Sequence, residues 1–180
     1  MQPPDLTRRT VLATTGLALL PIASGEAAPR PTRFTLNGAE VTIDLDPRTT
    51  LLDALRDHFQ LAGTKKGCAM GACGVCTVHL DGKRVVSCLV LAGRLDGREV
   101  RTIEGIGEPG HPHPVQAAFA AHDALQCGYC TPGQVMSAVA LIEEGHDRDE
   151  VEIREWMSGN LCRCGAYNNI VDAVQAARKA

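Results

Sequence analysis

The sequence predicts an α+β chain in two parts: a strand-rich half with one helix, then a half built of four short helices. Three observations carry that prediction. Asn37-Gly38 and Asp81-Gly82 each separate short runs of residues with strand character, the pattern of a β-hairpin. From Pro114 onward the apolar residues recur at three- and four-residue spacings instead. Between the two patterns, Glu104 to Pro114 is rich in Gly, Pro and His, and the boundary is placed there.

Each element has its own signal. Arg33 to Leu45 reads as the first hairpin, with Phe34 and Leu36, then Val41, Ile43 and Leu45, alternating with polar neighbours. Thr49 or Thr50 caps a helix whose apolar face holds Leu51, Leu52, Leu55 and Phe59, and Gly63 ends it. Thr64 to Cys76 is a loop. Thr77–Leu80 and Lys83–Val86 make the second hairpin, and Glu99–Ile103 one more short strand. Pro114 then opens a helix with Val115, Ala118, Phe119 and His122 on one face. Thr131-Pro132 reads as the N-cap and first residue of a helix reaching about Glu144. Asp149 with Glu152 forms a capping box for a helix ending at Gly159. Asn168 or Asn169 caps the last helix, with Ile170, Val171, Val174 and Ala177 turned inward.

Composition narrows the chemistry. The chain has 180 residues, 3% of them aromatic, so neither half builds a large core and metal clips would help hold each one. The net charge is -3 with no run of Lys and Arg, which argues against nucleic acid as a partner.

Eight cysteines fall into two sets of four. Cys68, Cys73, Cys76 and Cys88 follow C-x4-C-x2-C with a fourth Cys downstream, the plant-type [2Fe–2S] spacing. Cys127, Cys130, Cys162 and Cys164 pair a C-x2-C with a C-x-C. Iron in a cluster takes thiolate sulfur readily. Gly67, Gly71 and Gly74 interleave with the first ligands, so the loop can turn sharply and bring backbone N–H groups to the sulfurs. Cys127 and Cys130 stand just before a predicted helix N-terminus, where the dipole favours anions. Arg163, between Cys162 and Cys164, offsets cluster charge or makes a surface ion pair. Two such sites point to a one-electron carrier. Disulfides and, for the second set, all-cysteine zinc stay open as competing readings. A Rieske site lacks its histidines, and Cys76 and Cys130 are each followed by Thr, not the His that haem attachment needs. Gly105-Ile-Gly107-Glu-Pro-Gly110 matches a dinucleotide fingerprint, but Pro109 removes an N–H and no βαβ context surrounds it.

The first residues have a separate meaning. Arg8-Arg9 precedes an uncharged stretch from Val11 to Ile22, too short to span a bilayer, and small residues cluster at Ala27 and Ala28. The segment resembles a twin-arginine export signal, against an ordinary secretory signal or an uncleaved anchor. A periplasmic location follows as an expectation. That route carries folded protein, which suits a chain whose thiols would otherwise meet an oxidising compartment.

Gly63-Thr-Lys-Lys-Gly-Cys-Ala-Met-Gly-Ala-Cys-Gly-Val-Cys76, Gln126-Cys-Gly-Tyr-Cys-Thr-Pro-Gly133 and Ser158-Gly-Asn-Leu-Cys-Arg-Cys-Gly-Ala-Tyr167 together resemble the small iron–sulfur subunit of the molybdenum hydroxylases, over about residues 33 to 178. With the export signal, the likeness is to the subunit of periplasmic aldehyde oxidoreductases. The resemblance implies a β-grasp plant-type ferredoxin domain at 31–104, a linker at 105–113 and a helical, four-helix bundle-like [2Fe–2S] domain at 114–180, after a signal at 1–28. It implies one cluster on Cys68, Cys73, Cys76 and Cys88. The other, on Cys127, Cys130, Cys162 and Cys164, would lie nearest a molybdenum pterin carried by a large partner subunit. Gln126 would approach that pterin, against the plainer role of capping local backbone. Electrons would pass through both clusters to FAD, commonly on a medium subunit, or to another acceptor. No catalytic residue is expected on this chain. Substrates would be aldehydes, or N-heterocycles of the isoquinoline or nicotinate type. A free-standing periplasmic ferredoxin and a structural zinc protein are the competing functions.

Overall fold

The computed structural model describes residues 30–179, and the proposed export signal at 1–28 lies outside them. Strands β1 (Arg30–Leu36) and β2 (Ala39–Leu45) form the expected hairpin, with Asn37 and Gly38 both at positive φ, as a two-residue turn of this hand requires. β3 (Thr77–Leu80) and β4 (Lys83–Val86) form the second, around Asp81 and Gly82. β5 (Glu99–Arg101) lies between the hairpins, parallel to β1 and antiparallel to β3, so the sheet order is β2-β1-β5-β3-β4. β5 stops short of the expected Ile103, because Ile103–Gly105 closes into a 3-10 turn.

The first helix, α1 (Leu51–Asp53), continues as a wider π-helical stretch, Ala54–His58. Thr50 caps it: its hydroxyl accepts from Asp53 N–H at 3.1 Å. Phe59 meets Phe34 edge-on at 5.8 Å, and Phe34, Leu36, Leu51, Leu55, Val78, Leu80 and Val100 fill the core between helix and sheet. The helix does not reach Gly63. Gln60 takes a left-handed conformation (φ 56) and Leu61 N–H bonds back to the Leu55 carbonyl at 2.9 Å, closing the end earlier. Gly63 instead permits a close approach: its N–H meets Glu104 Oε1 at 2.8 Å, and a Cβ there would lie 2.5 Å from Ile103.

The helical half holds α2 (Pro114–Ala121), α3 (Thr131–Glu143), α4 (Glu150–Met157) and α5 (Tyr167–Ala177). Val115, Phe119, Met136, Val139, Leu141, Ile153, Ile170 and Val174 form its core. Several helix ends differ from expectation. His122, placed on the inner face of α2, is exposed at its C-cap. Asp149 caps α4 through Glu152 N–H at 2.9 Å, but the Glu152 carboxylate turns to Arg148 and His146, so only half of the capping box forms. Asn168 and Asn169 lie inside α5, whose N-cap is Ala166. Asn168 accepts from Arg154, and Asn169 donates to the His122 carbonyl. The connector 105–113 is anchored by Ile106, which is buried in the helical core, and Glu108 and His111 pair across an exposed tight turn.

The halves meet along α3, which packs on β3 and β4. Polar bonds tie the joint. Buried His79 meets the Met136 carbonyl at 2.8 Å, and Arg84 donates to the Trp156 carbonyl at 2.6 Å with its guanidinium 4.2 Å from the ring centre. Among the described residues no helix is long and apolar enough to cross a membrane.

Candidate metal centres

The structure gathers the eight cysteines into the two expected sets, all as free thiols. Within each set the thiols stand close enough to perturb one another's ionisation, most strongly in pairs. Cys68 pairs with Cys73 and Cys76 with Cys88 in the first set. Cys127 pairs with Cys164 and Cys130 with Cys162 in the second. Two pairs per site suit two irons with two thiolates each.

The N-terminal centre sits on the loop between α1 and β3. That loop is fastened to the preceding helix at its start. Arg56 donates to the carbonyls of Ala62 (3.2 Å) and Thr64 (2.8 Å), and Lys66 Nζ meets Asp53 at 2.7 Å. Gly67 lets the chain fold on itself, since a Cβ there would stand 3.0 Å from Cys73 Sγ and 2.7 Å from Val75. Backbone N–H groups point at sulfur, as the glycine-rich pattern predicts: Met70 and Ala72 donate to Cys68 Sγ at 3.5 and 3.3 Å, and Cys68 donates to Cys73 Sγ at 3.4 Å. Those donors, the Met70 N–H first and the Cys73 thiol next, bring the Cys68 thiol down to about 7. Cys76 and Cys88 are buried under Leu52. Burial and the neighbouring Cys76 push Cys88 up to about 11. Met70 and Leu89 are left exposed around this centre.

The C-terminal centre is assembled from two segments. Cys127 and Cys130 flank a turn at Gly128 (φ 77) that leads into α3, with Cys130 as its N-cap. Cys162 and Cys164 precede α5, where the Tyr167 hydroxyl accepts from Cys162 N–H at 2.9 Å. Burial and then Cys162 push Cys130 up to about 12. Cys127 is lowered by the Tyr129 N–H and Cys164. Burial raises Cys162, but the Ala166 N–H, the Cys130 thiol and the N–H groups of Cys164 and Gly165 outweigh it, so the net shift is downward.

Thr131 does not cap α3. It lies inside the helix, and its buried hydroxyl has no partner among the described residues. A buried hydroxyl beside Cys130 without a partner is what a sulfur-bearing group in this centre would satisfy. The donor set, its pairing, the N–H groups aimed at sulfur and this hydroxyl all fit an iron–sulfur cluster.

Gln126 is exposed and makes no side-chain hydrogen bond within the described residues, so it does not cap local backbone. Arg163 is exposed and enters none of the ion pairs among them. The sequence reading passed over the residues that join the centres. Leu161 N–H donates to the Cys73 carbonyl at 2.9 Å, and the Tyr129 hydroxyl to the Lys66 carbonyl at 2.7 Å. Buried Gln134 and Ser137 each donate to buried Asn160 in the same joint. One signal was available: Gln134 and Ser137 fall one turn apart in an otherwise apolar helix.

Residues 34–101 match the 2Fe-2S iron-sulfur cluster binding domain family, and residues 102–175 the [2Fe-2S] binding domain family. The chain is 47% identical over 175 residues to the aldehyde oxidoreductase iron-sulfur-binding subunit PaoA of Escherichia coli K12, covering 89% of this chain and 76% of that one. It is 48% identical over 139 residues to the nicotine 6-hydroxylase small subunit of Paenarthrobacter nicotinovorans, covering 77% and 84%. Among solved structures, quinoline 2-oxidoreductase from Pseudomonas putida 86 superposes with a TM-score of 0.81 at 40% identity, over 86% of this chain and 96% of that one. The aldehyde oxidoreductase of Desulfovibrio desulfuricans gives 0.80 at 41% identity, over 83% of this chain and 17% of that longer one.

Proposed function

The chain belongs to the family of small iron–sulfur subunits of the molybdenum hydroxylases, electron-transfer parts of oxidoreductase complexes, and from that premise we propose its specific role. Cys68, Cys73, Cys76 and Cys88 hold one [2Fe–2S] cluster, and Cys127, Cys130, Cys162 and Cys164 hold the other. When bound, the two clusters supply one-electron redox chemistry between a molybdenum pterin on a large partner subunit and FAD or another acceptor. The chain's own residues bind, orient and shield. Leu52 covers Cys76 and Cys88, and the N–H groups of Met70 and Ala72 stabilise negative charge on Cys68. The single observation that carries this reading is the gathering of four cysteines in each half, close enough to perturb one another. The working division is a leader at 1–28, cluster halves at 31–104 and 114–180, and a connector at 105–113.

We place the C-terminal centre toward the pterin, with Gln126 in contact; its free, exposed amide supports this. Aldehyde oxidation is favoured by the alignment with PaoA over most of both chains. A similar identity to the nicotine 6-hydroxylase subunit supports an N-heterocycle as the second reading. Arg8-Arg9 and the apolar stretch behind it support twin-arginine export to the periplasm.

The test is anaerobic purification with iron and sulfide analysis and low-temperature EPR. About four of each per chain and two distinct reduced signals are expected, with a molybdenum subunit travelling along. A lone two-iron chain would indicate a ferredoxin. Gln126→Ala should slow reduction of the clusters by substrate and leave both intact; unchanged single-turnover reduction would remove Gln126 from the contact.

A further inference from the structure

Asn160 is not a cysteine ligand, yet its side chain reaches two ligand segments and its backbone lies in a third. It is buried, 5% exposed. Its Nδ2 donates to the Gly74 carbonyl at 2.9 Å, between Cys73 and Cys76, and to the Gly133 carbonyl at 3.2 Å, just past Cys130. Thr77 Oγ1 stands 3.4 Å from the same nitrogen. Its Oδ1 accepts from Ser137 Oγ at 2.7 Å, and its backbone carbonyl accepts from Gln134 Nε2 at 3.0 Å. The next residue, Leu161, donates to the Cys73 carbonyl, and Cys162 follows. An amide nitrogen carries two hydrogens, and the two glycine carbonyls can use both.

The backbone is fitted to this side chain from both directions. A Cβ at Gly74 would lie 2.3 Å from the Gly159 carbonyl and 2.8 Å from Asn160 Nδ2. A Cβ at Gly133 would lie 2.5 Å from the Gly74 carbonyl. The three segments that carry Cys73 and Cys76, Cys130, and Cys162 therefore close around one amide. A merely stabilising buried amide needs partners somewhere; this one takes them from the backbone of both ligand sets.

We propose that Asn160 is a positioning residue for electron passage between the two centres: it fixes the separation and mutual orientation of the two cysteine sets. The inference rests on the reading that both sets hold clusters. The step it serves moves one electron and no atoms, one centre being oxidised by one unit as the other is reduced by one.

The test compares Asn160→Ala, Asn160→Asp and Ser137→Ala with the parent in the anaerobically purified holoprotein. Asn160→Asp keeps the shape but turns an acceptor toward two carbonyls. Ser137→Ala removes only the bond to Oδ1. Three quantities are read: iron and sulfide per chain, the spin–spin splitting between the reduced centres, and the rate at which a substoichiometric pulse of reductant redistributes between them by rapid-freeze EPR. In both Asn160 variants the two signals should persist, with a smaller splitting and redistribution slower by about tenfold or more, the scale on which lost positioning acts. Ser137→Ala should fall between these variants and the parent. Parental splitting and rate in an Asn160 variant that retains both centres would overturn the proposal. Should the Asn160 variants fail to fold or lose a centre, Ser137→Ala decides, and parental values there overturn it too. A parent chain with fewer than two centres would instead sink the two-cluster reading beneath it, as the iron count alone reveals.

Discussion

Three of the four N-terminal ligands lie on one continuous loop, Cys68 to Cys76, pinned to its own helix by Lys66–Asp53 and the Arg56 bonds. The C-terminal ligands come from two segments separated by the whole of α3 and α4, and they meet only when α3 and α5 share the helical core. The difference teaches how each site pays its ordering cost. The first takes most of its shape from its own glycines, backbone donors and the adjoining helix. The second inherits its shape from tertiary packing, so its geometry and the stability of its half are one property.

Removing a ligand should break that contrast most visibly. Cys130→Ser is expected to lose the C-terminal cluster and unfold the helical half cooperatively, since metal binding and folding are coupled there. Cys88→Ser should lose the N-terminal cluster while the core around Phe34, Leu55 and Val100 keeps the sheet folded. Thermal melts with EPR of each variant check this; equal loss of folded structure in both would erase the distinction.

Next in size are substitutions in the packing. Leu52→Ala, which uncovers Cys76 and Cys88, should cost about 2–5 kcal/mol and make the N-terminal cluster alone sensitive to oxygen. Denaturant titration and iron retention in air measure the two effects. Gly74→Ala combines a positive φ of 70° with a Cβ thrust at the Gly159 carbonyl, so it strains the joint and not one centre. A loss of about 1–3 kcal/mol with perturbation of both EPR signals is expected; a change confined to the first signal would refute the shared joint.

A smaller effect tests the helical half by pH. Arg148 first, with its backbone N–H and His146, outweighs the cost of burial and holds the Glu152 carboxyl down at about 2, against 4.5 ordinarily. An acid whose folded pKa is depressed adds stability that is fully present above its unfolded value and fades as pH falls toward the folded one. Melting temperatures should therefore drop between about pH 4.5 and pH 2 in the parent, and less steeply in Glu152→Gln. Parallel acid limbs in the two proteins would deny Glu152 that part.

The smallest shift concerns Thr131. If its unpaired hydroxyl bonds to cluster sulfur, Thr131→Val removes one hydrogen bond to the more reduced, more negative state. The C-terminal midpoint should fall by about 20–60 mV, the electrochemical equivalent of one such bond, with Thr131→Ser near the parent. Potentiometric EPR would show an unmoved midpoint if the hydroxyl faces elsewhere.

Much of this was legible in the sequence, and the reasons are particular. The hairpins followed from Asn37-Gly38 and Asp81-Gly82, because few other dipeptides accept two successive positive φ angles. The cysteine sets followed from spacing alone. Helix ends were read less well. Gln60 closed the first helix in place of Gly63, Cys130 displaced Thr131 as a cap, and the Asn168-Asn169 pair was absorbed into α5. At each, a ligand turn or a tertiary bond overrode the local capping preference. Asn160 was invisible for a related reason. A buried amide announces itself only through what it touches, and its partners here lie far from it along the chain.

The joint around Asn160 also bears on how such chains can be inherited. Gly74 belongs to the ferredoxin-like half, Gly133 and Asn160 to the helical half, and neither glycine leaves room for a side chain. A crossover between the halves therefore yields a working hybrid only if both parents bring the matching small residues and the amide. Two modules that look separable by fold are, at this seam, a single unit of recombination.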